Sequence, residues 1–232
     1  MRKLLATAAL TAALATPAYA VILSPADLNK ALVVNYSGTT APGNQSADVK
    51  ATQVITLENF IANENTYEFS YIFTNTSSIS TRLVGFGFDT APELTTASAG
   101  ATDLFNQVSF TASISGGQNV DVCFSTNNCS GGGGLGLVNT APNNATSGTF
   151  VLDFANGAIV PITIDSFIAR FQSIVGSPFG TSGIAGGNPG GGFVNPVDVN
   201  PVPIPPAAAL FLSGLGALGW LSRRRKAKRQ AA

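Results

Sequence analysis

The sequence contains no histidine, two cysteines and one tryptophan among its 232 residues. The absence of histidine excludes Ser-His-Asp and Cys-His catalytic arrangements and most zinc hydrolase sites. Two carboxylates suffice for glycoside hydrolysis, so Asp89 with Glu93 and Asp153 with Asp165 remain candidate pairs, although nothing distinguishes them from solvated surface acids. We therefore predict that the chain is not an enzyme and that it holds no metal and no cofactor.

Positive charge is nearly absent from the middle of the chain. The stretch from residue 4 to residue 222 has four basic residues, against twelve acidic residues that all lie between Asp27 and Asp198. The resulting net charge of −8 repels phosphate backbones, which argues against a nucleic-acid partner. A solvated acidic exterior explains this charge, so the charge alone does not establish calcium binding.

The amino terminus has the three parts of a secretory signal peptide. Two basic residues precede an uncharged apolar run over residues 4–15, and Ala18-Tyr19-Ala20 supplies the small residues that signal peptidase requires. An amphipathic first helix is the alternative, but residues 4–15 lack a charged face. We predict that residues 1–20 are a signal peptide removed after Ala20.

The two cysteines, Cys123 and Cys129, lie six positions apart in the segment CFSTNNC. An even cysteine pair in an exported chain predicts a disulfide. Closing this small ring would stabilise the fold by roughly 2–3 kcal/mol by loop entropy. A metal site is the alternative, but two thiols without histidine rarely bind a metal ion.

Between residues 21 and 175, apolar side chains recur with a period of two. Tyr67, Phe69 and Tyr71, for example, alternate with polar residues. This pattern is typical of antiparallel sheets with one solvated face. It predicts strands in the segments 31–36, 53–60, 66–73, 80–88, 108–115, 119–124, 149–154 and 162–171. We therefore expect an all-β domain over residues 21–175, an antiparallel β-sandwich of eight or nine strands for which a jelly roll is one arrangement.

Two glycines, Gly85 and Gly87, interrupt one of these strands. Glycine inside a strand marks a bulge or the close approach of another group. A ligand could approach there, but we expect another segment of the chain.

The composition changes after residue 175. Residues 176–201 are rich in glycine and proline, which predicts a flexible linker. A proline-rich motif at 202–206, an apolar stretch at 207–222 and a basic cluster at 223–229 follow. A helix over 207–222 would be about 24 Å long, and flanking arginines can extend it towards the roughly 30 Å core of a bilayer.

The basic cluster predicts a single C-terminal transmembrane helix with its end in the cytoplasm and the domain outside. A buried core helix is one alternative, and six basic residues within seven positions argue against it. A permanent membrane anchor without processing is the other alternative, which stays open.

In order and type, these three parts of the tail resemble the PEP-CTERM sorting domain of Gram-negative bacteria, and more closely its VPLPA variant. The matching motif residues are Val202, Pro203, Ile204 and Pro205, and the matching stop-transfer residues are Arg223, Arg224 and Arg225. Ile204 stands where the main form has glutamate. The resemblance implies processing by signal peptidase and by an exosortase-type membrane enzyme. It also implies a protein of the cell envelope, outer surface or extracellular matrix that is at least transiently membrane-anchored.

Three internal segments resemble the "cistern" family of PEP-CTERM proteins. They are TRLVGFGFDTAPE at 81–93, VDVCFSTNNCSGGGG at 120–134 and DSFIARFQSIVG at 165–176. This resemblance implies the same envelope location, and because the family has no established biochemical activity, it implies nothing about mechanism.

These features together predict a non-catalytic exported envelope or extracellular-matrix protein. The alternative is a carbohydrate- or calcium-binding surface module, with extracellular polysaccharide as a candidate partner. A hydrolase that uses two carboxylates has the weakest support.

Overall fold

The computed structural model describes residues 20–40, 45–114, 118–130, 135–155, 161–175 and 181–195. Residues 1–19 of the predicted signal peptide and the whole predicted sorting tail, 202–232, lie outside these ranges. Within the ranges, no helix is long and apolar enough to cross a membrane, and the predicted span at 207–222 is not part of them.

The described part of the chain is all-β, which confirms the predicted class. It contains one short 3₁₀ turn, Pro25–Asp27, and no α-helix. The strands are β1 (Val21–Leu23), β2 (Ala31–Thr40), β3 (Gln45–Ile61), β4 (Thr66–Asn75), β5 (Arg82–Ala91), β6 (Leu94–Ala99), β7 (Gln107–Ile114), β8 (Gln118–Ser125), β9 (Leu137–Val138), β10 (Ala145–Phe154), β11 (Ile162–Gln172) and β12 (Ser182–Pro189).

Among the described strands every pairing is antiparallel, as predicted, but these strands do not divide into two sheets. Hydrogen bonds join the strands into one sheet in the order β6-β10-β4-β3-β2-β12-β11-β5-β8-β7, with β1 beside β11 and β9 beside β5. The end strands β6 and β7 approach each other, so the sheet nearly closes around its core. Register shifts in β3 and β11 mark bulges, which bend strands and increase their twist.

The core is filled mainly by aromatic side chains from the inner face of this sheet. Phe86 lies at its centre: its ring stacks on Phe124 with centroids 5.1 Å apart and meets the edge of Phe105 at 5.7 Å. The alternating aromatic residues of β4 are all buried, and two of them, Tyr71 and Phe73, contact the ring of Phe86. Such pairs contribute beyond the area they bury, so this cluster anchors the fold.

The segment that joins β6 to β7 crosses the place where the two ends of the sheet meet. Phe105 in this segment is fully buried. Asp103 Oδ2 accepts a hydrogen bond from the backbone N–H of Thr149 at 2.7 Å, beyond the last residue of β10 that pairs with β6. The connection therefore bonds a stretch of β10 that β6 leaves unpaired.

The linker predicted over residues 176–201 is wrong for residues 182–189, which form β12. This strand lies inside the sheet, between β11 and β2. Its small side chains are the physical reason: Ala185 is fully buried, and a Cβ added to Gly187 would lie 2.6 Å from Phe167 Cβ. Glycine here permits close packing between strands and does not indicate a flexible segment.

The ordered domain continues past β12. Phe193 reaches the core, and Val194 exchanges two backbone hydrogen bonds with Ala31 at 2.7 and 2.8 Å. The domain boundary predicted at residue 175 is therefore too early by at least about one strand. The remaining linker residues, 176–180 and 196–201, lie outside the described residues.

Candidate functional site

The predicted disulfide between Cys123 and Cys129 is present, with the two Cα atoms 6.3 Å apart. Cys123 belongs to β8 and Cys129 to the segment after it, and both are buried. They belong to a second, smaller apolar cluster with Ala112, Ile114, Val120 and Ile168. Arg170 Nη1 donates a hydrogen bond to the carbonyl oxygen of Cys129 at 2.8 Å. The disulfide thus fixes the segment after β8 to β8 itself, and the Arg170 hydrogen bond holds that segment against β11.

Gly85 and Gly87 lie directly against β8, the strand that carries Cys123. A Cβ at Gly87 would lie 2.6 Å from the carbonyl oxygen of Val122, and one at Gly85 would lie 2.9 Å from that of Phe124. This confirms that another chain segment, and not a ligand, approaches these glycines.

Neither candidate carboxylate pair is brought together as a pair on adjacent strands. Asp89 on β5 is opposite Asp165 on β11, while Glu93 is exposed after the end of β5. Asp153 lies on β10, which pairs with β4 and β6 and not with β11. The structure instead forms a different acidic group.

That group contains Asp89, Asp165 and Asp121 of β8. The Asp121 N–H donates to Asp89 Oδ1 at 3.0 Å, and Asp121 Oδ2 accepts from the Thr90 N–H at 2.8 Å. Burial raises the pKa of Asp89, and the charges of Asp121 and Asp165 raise it further. In the described ranges, no three acidic or cysteine side chains are arranged to hold a metal ion. These hydrogen bonds join β5 to β8, which is a structural role.

A polar cleft of about 330 Å³ lies where β4, β10 and β6 meet. Asp153 is opposite Thr66 of β4 on one side and Thr96 of β6 on the other. The Thr66 hydroxyl donates to Asp153 Oδ1. Glu64 and Thr95 also line the cleft, so it contains two carboxylates and three hydroxyls.

The chain matches no protein-family model, no curated protein and no solved structure. What it can do therefore follows from its own residues. The sorting residues predicted at 202–205 and 223–225 lie outside the described ranges, so no geometry is assigned to them.

The hydrogen bonds of Asn65 stabilise the turn that carries Glu64, one of the residues lining the cleft. The Asn65 backbone has φ = 52°, a left-handed conformation that asparagine adopts more readily than most residues. Its side-chain Nδ2 donates to the backbone carbonyl oxygen of Ala155 at 3.4 Å, and its backbone carbonyl oxygen accepts from the Phe154 N–H at 3.2 Å. These bonds hold the turn before β4 against the end of β10, and thereby place Glu64 near Asp153.

The sequence indicated Asp153 only as a candidate catalytic partner of Asp165. It did not indicate the other polar residues of the cleft, Glu64, Thr66, Thr95 and Thr96. The polar face of the β4 pattern was the available signal for Thr66. Nothing in the sequence linked it to Asp153, which is 87 residues away.

Proposed function

We propose that this chain is a non-catalytic protein of the bacterial cell envelope or extracellular matrix. It is exported through its amino-terminal signal peptide and sorted through its carboxy-terminal tail by an exosortase-type enzyme. The observation that carries the proposal is the order of three segments in one chain: an amino-terminal segment with the composition of a signal peptide, a β domain, and a tail with a proline motif, an apolar stretch and a basic cluster.

The beginning of the folded domain supports the proposed signal cleavage. Strand β1 begins at Val21, the first residue after the predicted cleavage site. Val21 is buried, whereas Ala20 is exposed. Cleavage after Ala20 would therefore release the domain without removing any residue from its sheet.

The disulfide also supports export. Cysteine pairs form and persist mainly in oxidising compartments such as the periplasm and the cell surface. The ring between Cys123 and Cys129 is closed inside the domain, where it fixes the segment after β8.

The non-catalytic role is supported by the bonds of the acidic side chains. Asp89, Asp121 and Asp103 all accept hydrogen bonds from backbone N–H groups of other segments. Carboxylates used in this way fix strands and connections, and the sequence supplies no histidine to act with them.

Deleting residues 202–232 tests the sorting role, because this change leaves β12 and the pairing of Val194 in place. We expect the full chain in the envelope fraction and the shortened chain released from it. A Pro203→Ala/Pro205→Ala variant, which keeps the apolar stretch, should stay in the membrane with its tail uncleaved.

Mass spectrometry of the mature termini reports both cleavages in the same samples. Thiol alkylation before and after reduction checks that the shortened chain has formed its disulfide. Retention of the shortened chain in the envelope at the level of the full chain would contradict the sorting role.

A further inference from the structure

The lining of the cleft between β4, β10 and β6 limits the ligands it can take. Its two carboxylates, Glu64 and Asp153, are accompanied by no lysine or arginine. Phosphates and other anions would meet negative charge there without a positive partner among the described lining residues, which is unfavourable. A ligand for this cleft must therefore supply hydrogen-bond donors or positive charge.

The size and donor set of the cleft argue against a calcium ion. Calcium takes about six to eight oxygen ligands within about 2.6 Å. The cleft offers two carboxylates, and one oxygen of Asp153 already accepts the hydroxyl of Thr66. Its volume of about 330 Å³ is open to solvent on one side, which suits one face of a larger ligand better than a single ion.

We propose that this cleft binds a neutral saccharide unit. Sugar hydroxyls are donors that carboxylate oxygens can accept, and the threonine hydroxyls can both donate and accept. Thr95, Thr96 and Ala155 line the cleft and are exposed, so a sugar ring can reach them from solvent.

The cleft is held in shape before any ligand enters. The register of three strands aligns Thr66, Asp153 and Thr96, and the bonds of Asn65 fix the turn that carries Glu64. Such preorganisation reduces the entropy that binding must overcome. Phe154 is buried and offers no ring for stacking, so we expect dissociation constants in the millimolar range. The proposal is independent of the sorting tail.

Saturation-transfer NMR on the full-length protein, in a detergent without a sugar headgroup, tests this proposal. The probes are glucose, galactose, mannose and cellobiose, with CaCl₂ alone as a separate titration. We expect at least one sugar to give a saturable signal. Glu64→Gln and Thr96→Val should weaken that binding at least fivefold, because the first replaces a charged acceptor of the cleft with a neutral amide and the second removes a hydroxyl.

The matched control is Glu68→Gln, which removes the same charge from β4 outside the cleft, where Glu68 accepts a hydrogen bond from Asn59. It should change the dissociation constant less than twofold. Thermal unfolding of each variant checks that the fold is retained. The proposal is overturned if no sugar binds saturably, if CaCl₂ alone saturates the cleft, or if Glu68→Gln weakens binding as much as Glu64→Gln.

Discussion

Replacing Gly187 with alanine tests whether the glycine-rich segment is a central strand. A Cβ at this position would lie 2.6 Å from Phe167 Cβ, 2.7 Å from Val34 Cγ1 and 2.8 Å from Tyr36 Cε1. Distances below 3.0 Å require the neighbours to move. Phe167 Cβ cannot move without its backbone, because it is the first atom of the side chain. Overpacking of this kind typically costs about 1–3 kcal/mol.

The same strand provides a matched control at the preceding residue. Gly186 is exposed, and a Cβ added there meets nothing within 4 Å. Gly186→Ala should therefore be neutral, or stabilising by up to about 1 kcal/mol through the lower entropy of the unfolded chain. Each variant replaces one glycine of β12 with alanine, at neighbouring positions, so the two proteins have the same amino-acid composition.

Thermal unfolding followed by far-ultraviolet circular dichroism is the assay. Trp220, the single tryptophan, lies in the predicted tail and so does not report on the sheet. For a domain of this size we expect Gly187→Ala to lower the Tm by roughly 2–12 °C. If Gly187→Ala and Gly186→Ala unfold at the same temperature, the placement of β12 between β11 and β2 is refuted.

Two further predictions concern the disulfide and the acidic group. Cys123→Ala/Cys129→Ala should lower the free energy of unfolding by roughly 2–3 kcal/mol, measured by urea denaturation, and equal stability of the oxidised and reduced wild type would contradict this. Asp89→Asn should raise the Tm at pH 7 by about 1–4 °C, because it removes a charge that is disfavoured first by burial and then by the like charges of Asp121 and of Asp165, which lies opposite on β11. The pKa of Asp89 is raised in the folded state, so its charge destabilises the fold above that pKa, and the benefit of asparagine should disappear as the pH falls through it. The exposed Glu93→Gln is the control, and a benefit that persists at low pH would refute the explanation.

The strands with alternating apolar residues could be predicted from the sequence. Tyr67, Phe69, Tyr71 and Phe73 are all buried in β4. The bounds of β7 and β11 lie within one residue of their predicted segments, while β10 begins four residues before its predicted start. A period of two places every second side chain on one face, and burial of that face determines the register. This signal is local, so it does not require knowledge of the strand order.

Strands built from small or polar residues could not be predicted in this way. β6 reads LTTASA and β12 reads SGIAGGNP, and neither has a run of large apolar side chains. β12 forms because β2 and β11 leave a narrow space between them, which is a property of the assembled sheet. The choice between two sheets and one nearly closed sheet is likewise invisible to periodicity, because both bury one face of each strand.

The disulfide and the cleft show the same difference between local and long-range signals. The disulfide could be predicted because Cys123 and Cys129 are close in sequence and the chain offers no other cysteine. The cleft residues come from the turn before β4, from β6 and from the end of β10, so only the strand order brings Glu64, Thr96 and Asp153 together. The residue types did not indicate a site, since threonine and aspartate are common on the outer face of a sheet.

The position of β12 determines how domain and tail can be separated in an experiment. A truncation after residue 175, the boundary that composition suggests, would remove β12 and leave the adjoining edges of β2 and β11 unpaired. Exposed strand edges promote aggregation, so such a variant would be lost from the envelope whether or not the tail is a sorting signal. A truncation after residue 201 keeps Phe193 in the core and the pairing of Val194 with Ala31. Loss of the protein from the envelope then reports on the tail, because every described residue of the domain is still present.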